Sequence, residues 1–90
     1  MKIDVLINMA NQISAFFATE SEGGRAPSDV ATHLRRYWEP RMRAQIVTYY
    51  KERQGAGLEE IALAAVGLLA AEATEKAAGS GPPVAGSSGG

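Results

Sequence analysis

Arg35, Arg36, Arg41 and Arg43 fall within nine residues that also hold Tyr37, Trp38, Glu39 and Pro40. A guanidinium is a planar fork of donors that meets a carboxylate or phosphate two bonds at a time and stacks on aromatic rings. Four of them beside the only tryptophan compose a surface for recognising anions or another protein. Glu39 can neutralise one of these arginines, and the plainer reading of the cluster is a solvated polar face. Arg43 differs from the rest. On a helical wheel it lies beside an apolar stripe, so its stem should cover apolar surface and its head should find a carboxylate, a backbone carbonyl or a neighbouring subunit. Tyr37 and Trp38 would fix the geometry that presents the arginines, with Trp38 itself directed into the core. Asn8, Asn11 and Gln12 form a second polar patch, either a partner contact or amides that simply face water.

Reactive chemistry has little to work with. The chain has no cysteine, and His33 is its only histidine. Structural zinc normally takes four ligands dominated by Cys and His, and iron–sulfur clusters need several thiolates, so this donor set fits neither. No nucleophile–base pair or paired-carboxylate site can be assembled. Gly23-Gly24 and Gly55-Ala56-Gly57 lack the strand context of a phosphate loop. A catalytic site is not expected, and no cofactor or metal is expected on this chain.

The segments that carry these residues read as helices. Val5, Leu6, Met9, Ile13, Phe16 and Phe17 fall within about a third of the circumference of a helical wheel, with Asn8, Asn11 and Ser14 outside it, which predicts an amphipathic helix over 4–18. Ile7 lies off that stripe and is expected to be exposed. Residues 20–27 have loop composition, and Ser28 is an apt N-cap for a second helix over 29–38, with Asp29 favoured near its positive end. Val30, Leu34, Tyr37 and Trp38 share one face of it. Pro40 interrupts, since it lacks an amide hydrogen and disfavours helical geometry at Glu39, yet it suits the first position of a third helix over 40–54. Met42, Ile46, Tyr49 and Tyr50 form its stripe, and Gly55 and Gly57 supply a left-handed stop. A fourth helix, 58–77, has no polar side chain from Ile61 to Ala71. Either alanine is merely cheap to expose there, or a second face meets a partner. The expectation is an all-α bundle of about four helices over 1–78, followed by a disordered Gly/Ser/Pro-rich tail over 79–90.

Ninety residues allow one domain, and its core is marginal. Chains of about this size tend to lean on disulfides, metals or partners, and of these only partners suit this composition. The net charge is −1, so electrostatic recognition has to be local. No signal peptide is legible, and the longest apolar run falls short of the roughly 20 residues of a membrane span. A cytoplasmic location is expected.

Several segments carry a resemblance: Met1-Lys2-Ile3-Asp4, Met9-Ala10-Asn11-Gln12-Ile13 with Phe16-Phe17, the run from His33 to Arg43 with its Trp38-Glu39-Pro40-Arg41-Met42 centre, and Gly55-Ala56-Gly57-Leu58. In this order and spacing, over about residues 1 to 70, the chain resembles the small delta subunit of soluble, NAD-dependent, molybdenum-containing formate dehydrogenases. The resemblance implies a place in a complex whose other subunits carry the molybdenum cofactor, iron–sulfur clusters, FMN and the NAD site. It further implies attachment to the large catalytic subunit, in support of assembly or of cofactor insertion and retention. It transfers no catalytic residue, and the alanine-rich end of the fourth helix and the tail lie outside the recognisable part. The rival reading is a small helical nucleic-acid-binding protein using Arg35 to Arg43, against which the acidic balance counts.

Overall fold

The computed structural model describes residues 1–79, with side chains through Glu75, and consists of α1 (Ile3–Glu20), α2 (Ala26–Tyr37), α3 (Pro40–Arg53) and α4 (Glu60–Gly79). No strand occurs among the described residues. The four-helix, all-α expectation therefore holds, while the expected tail falls, from residue 80 onward, outside the described residues.

Local chemistry accounts for the junctions. Glu39 is extended (φ −66°, ψ 152°), as a residue before proline must be, and Pro40 opens α3. The Trp38 amide still donates to the Leu34 carbonyl at 3.0 Å, so α2 closes its last turn before the chain bends. At the far end of α3 the left-handed stop begins one residue earlier than expected, on Gln54 (φ 58°), and continues through Gly55 (φ 71°) and Gly57 (φ 93°). The positive φ of Gly55 favours glycine, and a Cβ there would also force the end of the Leu63 side chain to shift. Two starts differ from expectation. Helix α2 begins at Ala26, with Pro27 in its first turn, where a missing amide hydrogen costs no intrahelical bond. Ser28 is thus inside the helix and Asp29 N–H already donates to the Arg25 carbonyl at 2.9 Å. Helix α4 begins at Glu60, because the Leu58 amide closes a turn onto Gly55.

Helix α4 packs against each of the other three. That explains the apolar run: Ala62, Ala65, Val66, Leu69 and Ala70 are buried, and the wide arc is needed because neighbours stand on several sides. Leu6, Val30, Leu34, Ile46 and Val66 are the largest fully buried side chains. Leu68, with Ala64 and Ala71, stays exposed.

The face of α1 is rotated from the one its apolar residues suggest, by roughly 80° on the wheel. Leu6, Ala10 and Ser14 line the buried side, Ile7 is half-buried there, and Val5 and Phe16 are left exposed. Small residues at four-residue spacing let a neighbouring helix approach closely, and Ser14 loses nothing by burial because its hydroxyl donates to the Ala10 carbonyl at 2.9 Å. An apolar average over the sequence counts phenylalanine heavily and alanine or serine lightly, so it points away from this contact.

Candidate docking surface

The four arginines do not act as one cluster. Arg35 reaches across to α4, where Nε donates to Glu72 Oε1 at 2.9 Å and Nη2 donates to Oε2. Its Nη1 donates to Thr32 Oγ1 at 3.1 Å. The neutralising carboxylate is therefore Glu72, from the other end of the chain, and not the adjacent Glu39. Arg43 Nη1 donates to the carbonyls of Arg35 (3.1 Å) and Trp38 (2.5 Å). These belong to the last turn and C-cap of α2, where carbonyls lack intrahelical partners and a cation meets the negative end of the helix dipole. A backbone carbonyl was one of the three partners expected for this residue.

Arg36 and Arg41 are exposed, and among the described residues neither makes an ion pair or a side-chain hydrogen bond. Trp38 is only 5 % exposed and sits in the core with Val30 and Leu34, so it holds the α2–α3 corner from inside. Tyr37 departs from the stripe assigned to it and is 69 % exposed. The physical reason is Ala31, whose burial swings the inward face of α2 toward the 30, 31, 34 and 38 positions and leaves 37 at the edge. Of the polar patch on α1, Asn8 and Gln12 are exposed. Asn11 is engaged within the chain: its Nδ2 donates to the Gly57 carbonyl (3.0 Å) and its Oδ1 accepts from the Glu59 amide (2.8 Å), tying the α3–α4 turn and the start of α4 to α1.

The fold also assembles a group that the sequence pattern does not single out. Phe16 and Phe17 meet edge to face at 5.1 Å between centroids, Phe17 meets His33 at 5.9 Å, and His33 lies 4.7 Å from Tyr37. These rings run from α1 onto α2 and end beside Arg36, which lines the same shallow groove. The available signal was the adjacency of Phe16 and Phe17: two neighbours stand about 100° apart on a helix, so one narrow buried stripe cannot centre on both. A larger concavity, about 520 Å³, lies between α3 and α4 over Val47 and Leu69, but its arginines are those already engaged.

The Arg35–Glu72 pair is electrostatically perturbed. The hydrogen bonds from Arg35 hold the Glu72 carboxyl below its ordinary range, partial burial opposes this, and the attraction of the two charges adds to it. The same bonds raise Arg35, which is charged throughout in any case. A carboxyl lowered on folding stabilises the fold at pH above its unfolded value, and that contribution fades as pH falls through the folded value. The side chains are 40 % and 46 % exposed, so solvent limits the pair to less than about 1 kcal/mol. Thermal unfolding of Glu72→Gln should show a loss of that order at neutral pH and none in acid.

Among the described residues there is no group of three or more His, Asp or Glu able to hold a metal ion, and no helix long and apolar enough to cross a membrane. The arrangement offers contact surface: aromatic faces and, at the α2–α3 corner, two guanidinium groups that are unengaged among the described residues. No curated protein and no solved structure matches the chain. A family model does, over residues 5–66, under the description NADH-dependent formate dehydrogenase delta subunit FdsD. The match spans the α2–α3 corner and reaches into α4, and by it the chain belongs to the delta-subunit family of NADH-dependent formate dehydrogenases.

Proposed function

We propose that this chain is a non-catalytic delta subunit that docks on the large catalytic subunit of a cytoplasmic formate dehydrogenase and supports assembly of the complex or the insertion and retention of its molybdenum cofactor. Family membership carries the reading. The donor set agrees with it for one cofactor class: a chain without cysteine and with one histidine offers no thiolate cluster, so iron–sulfur chemistry falls to other subunits, and the resemblance implies the same for the molybdenum, FMN and NAD sites. The physical mechanism is mass action. A small partner that binds only the assembly-competent conformation of a large one raises its population without touching the reacting atoms.

The residues free to dock are Arg36, Tyr37 and Arg41, with Asn8 and Gln12 on α1. Arg35, Trp38, Arg43 and Asn11 serve by holding the corner and the α3–α4 turn in place. Exposed arginines at an interface contribute to association rate and specificity ahead of affinity. Changing Arg36 and Arg41 together to Glu should therefore weaken association about tenfold or more at low salt, with the loss shrinking as salt screens it. Co-expression with the other subunits, followed by the ratio of delta chain to catalytic subunit and the molybdenum content, measures this. Wild-type recovery of both would remove these arginines from the docking surface. The nucleic-acid reading draws no support here, because two of its four arginines are spent on Glu72 and on α2 carbonyls.

A further inference from the structure

We infer that the centre of the docking surface is the ring ladder Phe16–Phe17–His33–Tyr37, and that it takes an amphipathic segment of the partner subunit bearing an apolar side chain close to a carboxylate. The inference rests on the docking reading above and names the chemistry of the partner at that site. Phe16 is 58 % exposed and Tyr37 69 %, and they stand at the two ends of one continuous run of ring contacts. Large rigid aromatic side chains presented on the surface beside an arginine are the composition of an interface centre, since they gain much area on burial and lose few rotamers.

Charge indicates what the occupant carries. Arg36 lines the groove beside Tyr37 and His33, and among the described residues no carboxylate pairs with it. Asp29 lines the same groove, but its Oδ2 accepts from Ser21 Oγ at 2.6 Å, and it lies seven residues back, about 10 Å along the helix. The guanidinium is therefore open to a carboxylate from outside, at the Tyr37 end of the ladder. Continuity points the same way. Asn8, Gln12 and Phe16 follow one another at four-residue spacing and are all exposed, so the outward stripe of α1 that offers amides to the partner leads directly onto the rings.

The test titrates the full chain against the formate dehydrogenase complex purified without it. Phe16→Ala with Tyr37→Ala should weaken binding about 30-fold or more, nearly independently of salt. Arg36→Gln should weaken it about tenfold at low salt, Arg36→Lys less, and the deficit should shrink at high salt. Both ring positions are exposed, so unfolding curves of the variants should match wild type, and the single change Tyr37→Gln provides a second, milder measure. Wild-type affinity in the double variant overturns the inference while leaving docking intact, and unchanged binding by Arg36→Gln overturns its carboxylate part. Absence of binding by the wild-type chain overturns docking and the ladder together. A dimer of the isolated chain that the ring substitutions disperse would also overturn it, because the ladder would then be covered by a second copy.

Discussion

Trp38→Ala should lower the stability of the free chain by about 3 to 5 kcal/mol, the usual cost of removing a large buried aromatic side chain and leaving a cavity. The indole is 5 % exposed and shares the core with Val30, Leu34 and the α4 residues. The backbone there is tied, because Trp38 is the C-cap of α2 and Arg43 donates to its carbonyl, so local collapse into the space is restrained. A domain of this size has a total stability of roughly 4 to 12 kcal/mol, so the loss is a large fraction of the total and leaves the variant partly or wholly unfolded if the chain lies at the low end. Denaturant unfolding of the free chain measures the loss, and a change below about 1 kcal/mol would place the indole outside the core. On the docking proposal, supplying the large subunit should restore about 2.7 kcal/mol of apparent stability when its concentration is a hundredfold above Kd. Substitutions at Phe16 or Tyr37 should behave in the opposite way, with unchanged stability of the free chain and impaired binding.

Gly55→Val should cost about 2 to 5 kcal/mol, from two independent sources. The residue has φ +71°, a conformation that costs an L-residue about 1 to 2 kcal/mol. Its Cβ would then collide with Leu63 Cδ1 and crowd Leu58 and Tyr50, and overpacking of that kind costs about 1 to 3 kcal/mol more. Gly23 is the control. It also has positive φ (59°), but nothing lies within 4 Å of where its Cβ would be, so Gly23→Ala should show the conformational cost alone. Equal losses at the two positions in thermal unfolding would mean that the contact with Leu63 does not matter. The α3–α4 turn also holds Asn11, so its disruption should loosen the start of α4 and the side of α1 against it.

Helix number, the break at Pro40 and the left-handed stop after α3 were legible because each depends on a residue and its immediate neighbours. Proline lacks an amide hydrogen wherever it stands, and two glycines after a charged, polar stretch end a helix in most surroundings. Arg43 was legible for a related reason: its seat beside an apolar stripe follows from helical period, and the carbonyls it caps are only five and eight residues away. The placement of Trp38 in the core follows from the same period.

Which side of α1 faces inward, and the pairing of Arg35, were settled by contacts between distant segments. Ala10 and Ser14 are buried because the bundle packs closely over them, and that turns Phe16 outward. Arg35 is spent because Glu72, 37 residues along the chain, lies across from it on α4. Helical period ranks residues by direction around one axis and says nothing of the distance at which another axis passes. That separation, set by the small side chains between helices, is what brings Glu72 within reach of Arg35, whereas Arg36 and Arg41 make no ion pair among the described residues.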